Sequence, residues 1–502
     1  MKSNILNLSK INISFLNLAA QSPSLEINLA LSEKIHNKDK NKKHVFFMCD
    51  RALNSCDLNV LNKRSICNIC TYKAKKGFKL FNTRNPNSEL IKITKKDLKF
   101  NERIIIDKAQ NEELILGVHS SISSQLRIDN MNLLDKTWKN IKTEMYDSAK
   151  GLYLYFDKYL SLNNVENFII FNGRLSCSRP LITVSKKNNV TFNLFDAAVN
   201  GKVLKVSVNE LFHSLNFEKT LALKAYIKNF KNSRIISEKY MSNKIGGVIT
   251  SDFAYTKNQV RGHIDKDVLD YKKPIISIYV SSDDEIKFLG SDWSKFGLPD
   301  QIDSVYSIIN SDLKNKYDFV VKMHPNQKYI HKSIMDRYLE LSKRVKILFP
   351  ENKTDTYSLI TYSSIILNFC STVGAEANYM RKPVVQIGAS RFRLLPVANY
   401  VNSAEDAIKI IERKKFKLMP IRASIVYFSY HGVNMHNLKA YKYIQDGVFT
   451  YGDKFIKVPF ILRFLALPDK FIYHILKGNR QLISNLPMYI NNLLLGRTII
   501  KK

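Results

Sequence analysis

The chain has 502 residues, 45% of them hydrophobic and 24% charged, which is enough for two or three domains and excludes a disordered protein. Its 78 Lys and Arg residues outnumber 44 Asp and Glu residues, giving a formal net charge of +34. This excess favours polyanionic partners, although a general enrichment in Lys explains it equally well. No run approaches the roughly 18 uninterrupted apolar residues that a membrane-spanning helix needs, so we expect a cytoplasmic protein.

Strand and helix signals alternate through the first half of the chain. The predicted strands are Ile11–Leu18, His44–Met48, Asn167–Phe171 and Val190–Phe195, with helices from Pro23 to about Ile35 and over Met131–Leu160. Short apolar strands separated by helices are typical of a parallel sheet. We therefore predict a Rossmann-like domain over residues 1–264.

The same alternation restarts after a linker-like segment, Asp265–Lys273. The predicted strands of the second half are Ile275–Val280, Asp318–Met323, Val345–Leu348, Ile365–Phe369 and Val384–Ile387. We predict a second Rossmann-like domain over residues 265–420 and a basic helical extension over residues 421–502. Two such α/β domains facing each other across a cleft form the GT-B arrangement, with the acceptor on the first domain and a nucleotide donor on the second.

One short segment, Ser363–Gly388, contains a complete strand–turn–helix–strand unit. Ser371 and Thr372 fall where the strand passes into the helix, a place where free N–H groups favour an anion such as phosphate. Glu376 follows one turn later and is suited to accept hydrogen bonds from sugar or ribose hydroxyls. Ordinary N-capping and a favourable interaction with the helix dipole are the alternatives.

One αβ unit earlier, the predicted strand Asp318–Met323 ends at Lys322 and His324, and Pro325 stops it there. A histidine at such a strand end can bind a phosphate oxygen, whereas a purely structural histidine is the alternative. Lys322 lies on the same side as His324 only if the strand stays regular to its end. We predict that His324 and the Ser371–Thr372 turn point into one crevice.

Two other strand ends carry candidate site residues. Ser281 and Ser282 end the first strand of the second half and are candidate donor-binding residues. The acidic run that follows contains Asp283 and Glu285, each a candidate general base, although a solvated charge run explains it as well.

In the first half, Asn172 and Arg174 follow a predicted strand and are candidates for binding an acceptor or lining a cleft, with a surface turn as the alternative. Arg174 is suited to an anionic group.

Four of the six cysteines cluster as C-x6-C-x10-C-x2-C, at Cys49, Cys56, Cys67 and Cys70. In a cytosolic chain such a cluster suggests metal more than disulfides, so a structural zinc ion is one interpretation. Only Cys67 and Cys70 form the CxxC pair of ordinary zinc sites, and unliganded thiols are the other interpretation. No motif of a metal-dependent nucleotide-sugar enzyme is present, so we expect metal-independent chemistry and no required cofactor.

Several of these motifs occur together in one family. The set FNGR (171–174), SSDDE (281–285), KMHPN (322–326), DTYSLI (355–360) and STVGAEANYMRKPVV (371–385) resembles the bacterial capsule and surface-polysaccharide biosynthesis proteins, which are similar to GT-B glycosyltransferases. The cysteine stretch over 49–70 resembles the N-terminal region of the same group. The resemblance covers residues 11 to 440.

This resemblance implies sugar transfer from a nucleotide-activated donor to a glycan or lipid-linked glycan. It implies donor phosphates at His324, Ser371 and Thr372, with Glu376 on the donor sugar or ribose. The catalytic base of such enzymes comes from the first domain, where Glu26, Asp50 and His119 are candidates by position only.

Two alternatives to a glycosyltransferase remain open: a glycerophosphate or phosphosugar polymer transferase, and a non-catalytic polysaccharide-assembly or export factor. We expect no nucleic-acid partner, because the basic residues are spread along the chain and no nucleic-acid module is recognisable. The tail from Phe455 to Lys502 has eight Lys and Arg residues and one acidic residue. It is interpreted either as a segment that lies on an anionic membrane or as helices that pack back on the first domain.

Overall fold

The computed structural model describes residues 10–99, 105–198, 201–248, 259–431 and 437–476. The chain divides into two compact units. Unit 1 comprises Met1–Gln125, Asn130–Phe212 and His436–Lys502, and unit 2 comprises Leu126–Asp129 and His213–Met435.

Unit 1 is built on a six-stranded sheet with the order β3-β2-β1-β4-β5-β6. Its strands are β1 (Ile11–Phe15), β2 (His44–Cys49), β3 (Ser88–Ile93), β4 (Val165–Phe171), β5 (Thr191–Ala198) and β6 (Val203–Val208). Its first helices are α1 (Ser24–His36), α2 (Arg64–Arg84), α3 (Lys108–Leu126), α4 (Lys136–Leu162) and α5 (Arg179–Lys187). The first five strands run parallel, and the edge strand β6 runs antiparallel to β5.

Unit 2 has a second six-stranded sheet, with the order β12-β11-β10-β7-β8-β9 and every pairing parallel. Its strands are β7 (Ile275–Tyr279), β8 (Asp318–Lys322), β9 (Lys346–Leu348), β10 (Ile365–Asn368), β11 (Val384–Ile387) and β12 (Asn399–Val401). Its helices are α6 (Leu215–Lys228), α7 (Ser233–Ile245), α8 (Lys266–Leu269), α9 (Ser291–Ser294), α10 (Gln301–Asn310), α11 (Lys332–Leu341), α12 (Thr356–Tyr362), α13 (Val373–Tyr379), α14 (Ala404–Glu412) and α15 (Ile421–His431).

The central strands of unit 2 are mostly apolar because both faces of the sheet are covered, and the few polar residues in them are buried as well. Val320 and Val321 are consecutive residues of β8, yet Val320 belongs to one hydrophobic core and Val321 to the other. Ile366 and Ile365 of β10 divide in the same way. Successive side chains of a strand point to opposite faces, so a sheet covered on both faces favours apolar residues at most positions.

The chain returns to unit 1 after α15. There it forms a small antiparallel sheet of β13 (Tyr441–Gln445), β14 (Val448–Tyr451) and β15 (Lys454–Phe455), followed by α16 (Phe460–Leu465) and α17 (Leu467–Leu476). β14 packs on α1, and Tyr451 stacks on Phe81 of α2 with ring centroids 6.4 Å apart. These contacts make the returning segment part of the unit 1 core.

The predicted fold class, α/β with two Rossmann-like domains, is confirmed. The predicted boundary at residue 264 differs from the structure, which places the division at Phe212. α6 and α7 pack on α15 of unit 2, and Tyr240 stacks on Phe428 at 4.7 Å. The linker-like segment is itself bound to unit 2, because Asp265 accepts hydrogen bonds from Lys346 and Asn352.

The predicted helical extension over 421–502 also needs correction. Its first helix, α15, belongs to unit 2, and residues 441–455 form strands instead of helix. The extension is helical only in α16 and α17 within the described residues, and residues 477–502 lie outside them. No helix in the described part of the chain is long and apolar enough to cross a membrane.

Candidate functional site

The strand order of unit 2 reverses between β7 and β10. The chain runs from β7 outward through β8 to β9, then returns to the other side of β7 to form β10. The carboxyl ends of β10, β7 and β8 are therefore neighbours, and they carry the Cys370–Thr372, Ser281–Glu285 and His324 segments. In open α/β sheets this crossover point is the crevice where ligands bind.

Hydrogen bonds tie the end of β7 to the end of β8. The Ser281 carbonyl accepts from the side-chain amides of Gln301 and Gln327, each at 3.1 Å. The Ser281 N–H donates to Gln301 Oε1 at 2.8 Å, and the His324 N–H donates to Gln327 Oε1 at 2.8 Å. The two glutamines therefore hold the predicted serine and histidine segments in a fixed relation.

The protonation state of His324 follows from its neighbours. Its Nδ1 accepts a hydrogen bond from the backbone N–H of Asn326 at 3.1 Å. Burial lowers the pKa of His324 to about 4, while Glu285 raises it and Lys244 and Arg127 lower it further. At neutral pH the ring is therefore uncharged, and its one hydrogen is on Nε2. Such a ring can donate a hydrogen bond from Nε2 to a phosphate oxygen.

The turn after β10 is held by buried amide groups. Asn368 donates to the Ser371 carbonyl at 2.8 Å and to Gln386 Oε1 at 2.6 Å. The hydroxyl of Ser371, in turn, accepts from the Val373 N–H at 3.3 Å. Cys370 has a φ of +53°, a left-handed conformation that is uncommon for a residue other than glycine. Strained backbone of this kind clusters at functional sites.

Glycine is required at the start of α13. A Cβ built on Gly374 lies 2.8 Å from Phe392 Cζ and 2.9 Å from Asn368 Nδ2. Contacts this short force a neighbour to move, and Asn368 Nδ2 already donates hydrogen bonds to Ser371 and Gln386. A small residue at this position thus lets the helix start lie directly on the amide that fixes the turn.

Glu376 is buried and already bonded within the protein. Its Oε1 accepts from the Thr372 hydroxyl at 3.0 Å, and its Oε2 accepts from the Tyr357 hydroxyl at 3.2 Å. The predicted contact of Glu376 with a sugar or ribose requires a ligand hydroxyl to join or replace these donors. The carboxylate does connect α13 with α12, the helix of the DTYSLI motif.

Lys322 lies in a different place from the one predicted. It is buried, and its Nζ donates to the Thr354 carbonyl at 2.9 Å. Burial lowers the pKa of Lys322 to about 8, although the nearby Asp355 raises it. β8 ends at Lys322, so its regular alternation does not extend to His324. Lys322 thus supports the start of α12, and its predicted contact with a donor requires this bond to be replaced.

The acidic run after β7 divides into three different environments. Burial raises the pKa of Asp283 to about 7, and a hydrogen bond from Gln301 lowers it in part. Asp284 is buried and pairs with Arg127 at 2.7 Å. Glu285 accepts from the Asn326 amide at 2.8 Å. The raised pKa of Asp283 suits proton transfer near neutral pH.

Ser282 and Asp283 line a small cavity of about 20 Å³. Ser282 is buried, and its hydroxyl has no hydrogen-bond partner among the described residues. A cavity of this size holds about one water molecule. It is therefore too small for a sugar, and the predicted donor contact of Ser282 depends on rearrangement of its surroundings.

Two basic residues that sequence reasoning missed lie at this site. Lys244 is close enough to His324 to affect its pKa. Arg391 acts on Cys370: burial raises the pKa of that thiol to about 12, and the Arg391 charge opposes the shift. Arg391 also lies 3.5 Å from Glu218. In a chain with 78 basic residues neither carries a motif, so only the fold identifies them.

Unit 1 has its own crossover point, between β1 and β4. Asn172, directly after β4, has a φ of +55° and donates to Asp196 at 2.6 Å. Arg174 donates to the hydroxyls of Ser120 at 3.3 Å and Ser124 at 3.0 Å. Both predicted acceptor residues therefore follow the crossover strand, and both are bonded to neighbouring side chains.

The cysteines surround a cavity in unit 1. Five of the six, namely Cys49, Cys56, Cys67, Cys70 and Cys177, line a space of about 40 Å³. Burial raises the pKa of Cys49 to about 11 and that of Cys70 to about 12.

The zinc interpretation does not fit this arrangement. Within the described part of the chain, no three His, Cys, Asp or Glu side chains are placed to share a metal ion. Cys56 instead forms a hydrogen bond with Cys177, which lowers the pKa of Cys56 and raises that of Cys177. Cys67 accepts from the Asn59 amide at 3.2 Å. The sequence pattern missed Cys177 because it lies more than a hundred positions away along the chain.

The three candidate bases of unit 1 differ in burial and in the groups around them. Glu26 is fully buried, forms an ion pair with Lys73 at 3.0 Å and accepts from Ser22. These are the contacts of a structural carboxylate, and the predicted contact of Glu26 with an acceptor requires the ion pair to open. Asp50 is half-buried directly after β2. His119 lies on α3, where burial and the charge of Lys142 lower its pKa.

The chain matches no known protein-family model and no curated protein. Among solved structures it is similar to the β-Kdo 2,4 transferase KpsC of Thermosulfurimonas dismutans, with 13% identity over 53% of this chain and 79% of that chain and a TM-score of 0.35. It is also similar to the UDP-GlcNAc 2-epimerase of Methanocaldococcus jannaschii, with 12% identity over 83% and 97% of the chains and a TM-score of 0.25.

The wall teichoic acid polymerase TagF is a third similar structure, with 10% identity over 84% of this chain and 83% of that chain and a TM-score of 0.21. Likeness at these values carries no argument about function. The function has to be inferred from the residues of the site.

Proposed function

We propose that the protein is a glycosyltransferase that moves a sugar from a nucleotide-activated donor onto a capsule or other surface polysaccharide. The observation that carries the proposal is the crossover crevice of unit 2. There the neutral ring of His324 and the Ser371–Thr372 turn follow strands on either side of β7. Transfer needs positive or N–H groups that hold the leaving phosphate as its charge develops.

The charges around this crevice are consistent with an anionic donor. Lys244 and Arg127 both act on His324, and Arg391 acts on the neighbouring Cys370. We propose that these cations hold the donor phosphates together with the His324 Nε2–H, without requiring a metal. Cationic groups in a partly buried crevice stabilise phosphate more strongly than the same groups in water.

Asp283 is our candidate for the group that accepts the proton of the acceptor hydroxyl. It lies four residues after the end of β7 at the crossover point, and its raised pKa of about 7 leaves a large fraction of the carboxylate ready to take a proton at neutral pH. The water-sized cavity that Asp283 lines has to open for an acceptor hydroxyl to reach it. The Asp283→Asn variant is expected to lose turnover while it keeps donor affinity, because the change leaves the phosphate-binding groups in place.

Donor binding tests the proposal directly. The protein is screened by thermal shift and calorimetry against CMP-, UDP-, GDP- and CDP-linked compounds, and one nucleotide class is expected to stabilise it. His324→Ala should weaken binding of that class by about tenfold, the value of one lost hydrogen bond to a charged group. The matched control is His263→Ala, which removes an exposed histidine of the same unit.

Two results together would contradict the proposal. If no nucleotide or nucleotide sugar binds, and His324→Ala leaves glycan synthesis intact, the protein is not such a transferase. Mass spectrometry of the products then distinguishes sugar transfer from glycerophosphate or phosphosugar transfer at the same site. A non-catalytic assembly factor predicts that the Asp283→Asn and Glu376→Gln variants both retain full function.

A further inference from the structure

The exposed surface of α16 is unusual for a short helix. Four of its six residues are large, apolar and about half exposed: Phe460 at 52%, Ile461 at 58%, Phe464 at 52% and Leu465 at 54%. Single exposed apolar residues are ordinary on protein surfaces. Four on one helix form a contiguous patch, and patches of this kind mark interaction sites.

The patch is held in place from its other side. Ala466 and Val458 are buried with Ile66 and Ile69 of α2, and Leu462 packs against the same cluster. Residues 460, 461, 464 and 465 share one face of the helix, since positions four apart are neighbours on a helix surface. The opposite face is thereby anchored to unit 1, and this packing holds the exposed face in a fixed position.

Ring contacts organise the exposed face further. The rings of Phe460 and Phe464 stack with centroids 6.0 Å apart. Arg463 points inward, where its guanidinium donates to the Val458 carbonyl at 3.1 Å and lies 5.8 Å from the Phe460 ring centre. The apolar side chains are therefore ordered before any partner arrives, which reduces the entropy lost on binding.

The charges around α16 indicate the partner. Lys457 is exposed just before the helix. The one acidic residue after Phe455, Asp469, accepts from Ser65 at 2.5 Å and lies 3.9 Å from Lys63, so its charge is already compensated. From residue 477 to the end, the sequence has five Lys and Arg residues and no Asp or Glu. An apolar face within a basic part of the sequence complements an anionic lipid surface.

The size of the patch argues against a second copy of the chain as partner. Four half-exposed apolar side chains offer roughly 400 Å², about half of the roughly 800 Å² that each protein buries in a stable complex. A bilayer needs no complementary shape, and insertion of a few large side chains with electrostatic attraction is enough for reversible binding.

We propose that α16 is a membrane-contact site whose Phe460, Ile461, Phe464 and Leu465 side chains insert into the interface of a bilayer containing anionic lipid. The proposal does not rest on the proposed sugar transfer. It holds equally for any reaction that unit 2 carries out, and its failure leaves the donor site unaffected.

Vesicle co-sedimentation of the full chain tests the proposal. The protein is expected to bind mixed phosphatidylglycerol–phosphatidylcholine vesicles, to bind pure phosphatidylcholine vesicles more weakly, and to be released by salt. Phe460→Ser with Phe464→Ser should reduce binding to the mixed vesicles by at least about tenfold. The matched control changes Ile227 and Phe230 to Ser, because these exposed apolar residues belong to unit 2.

Thermal unfolding checks that both double variants remain folded, as expected for exposed positions. If the α16 variant binds mixed vesicles as well as the wild type does, the proposal is overturned and the basic tail alone accounts for binding. If the variant changes the sedimentation coefficient in the absence of lipid but not vesicle binding, the patch is a contact between copies and the proposal is also overturned.

Discussion

A single backbone N–H decides what His324 can do. By donating to Nδ1, the Asn326 N–H places the ring hydrogen on Nε2, and burial keeps the ring neutral. The same burial has a consequence for stability. The folded pKa of about 4 lies below the ordinary value, so between about pH 6.5 and pH 4 the unfolded chain takes up a proton that the folded chain does not.

The free energy of unfolding should therefore fall as the pH drops through this window, and His324→Gln should remove that part of the slope. From pH 7 to pH 4.5, the variant is expected to lose about 1 to 2 kcal/mol less unfolding free energy than the wild type loses, after discounting for solvent screening. Urea unfolding at both pH values measures it, with His263→Gln as the control. If the wild type and His324→Gln lose the same unfolding free energy between the two pH values, the ring of His324 is not held neutral in the folded protein.

Other residues show why a motif does not reveal a side chain's partner. Lys322 and Glu376 belong to motifs that the sequence placed at the donor site. In the structure Lys322 donates to the Thr354 carbonyl, and Glu376 accepts hydrogen bonds from two hydroxyls. Thr354 and Tyr357 lie outside the motifs of the residues they bind, and spacing within those motifs contains no information about them. The exception is Thr372, which lies four residues before Glu376, so its position beside that carboxylate does follow from the spacing.

At the scale of elements, the strands that were predicted are those that are mostly apolar. β7, β8, β10 and β11 were predicted to within two residues at each end, because strands covered on both faces have few polar positions and differ clearly from the polar segments between them. β3 was missed. It lies at the edge of its sheet, and its residues are half-buried or exposed except for the buried Ile93.

The pairing of α1 with α2 depends on one buried ion pair, Glu26 with Lys73. Glu26→Gln leaves the Lys73 charge buried without its partner, which should cost about 3 to 5 kcal/mol of unfolding free energy. Replacing both residues, as Glu26→Leu with Lys73→Met, should recover most of that loss. Denaturant unfolding of the single and double variants measures the coupling.

Activity per folded molecule provides the control for this prediction. It should remain near the wild-type value in Glu26→Gln, since a fully buried carboxylate does not meet an acceptor. A variant that unfolds normally and yet loses turnover would return Glu26 to the list of catalytic bases.

The loop after β2 and the segment before α5 meet at the thiols of Cys56 and Cys177. On treatment with hydrogen peroxide, the two thiols should form a disulfide as one peroxide is reduced to two waters. We expect peptide mapping to find the Cys56–Cys177 link before any other, because the thiol with the lowered pKa attacks first. Cys370→Ser should not affect it, whereas a first link between Cys67 and Cys70 would contradict the observed pairing.

At the scale of the whole molecule, unit 2 includes a piece of chain from far upstream. Arg127 lies between two segments of unit 1, yet it pairs with Asp284, and its carbonyl accepts from the His331 N–H. Arg127→Met leaves Asp284 buried without its cation, and we expect a loss of about 2 kcal/mol from the stability of unit 2.

The matched control for Arg127 is Arg234→Met, which breaks an exposed pair with Glu238 in the same unit. Exposed pairs of this kind contribute about 0.5 kcal/mol or less. Chemical denaturation followed by the fluorescence of Trp293, which is buried in unit 2, reports the difference. Equal effects of the two changes would show that Asp284 does not depend on Arg127.

The return of the chain to unit 1 has a consequence for the order of events during synthesis. Tyr441, Phe449 and Tyr451 belong to the same hydrophobic core as Leu25 and Leu29 of α1, yet the ribosome makes them about 400 residues later. Apart from Leu126–Asp129, unit 2 is encoded without interruption between these two parts. The unit that begins first is thus the last to be completed, and until then the apolar surface of α1 that β14 covers stays open to chaperones.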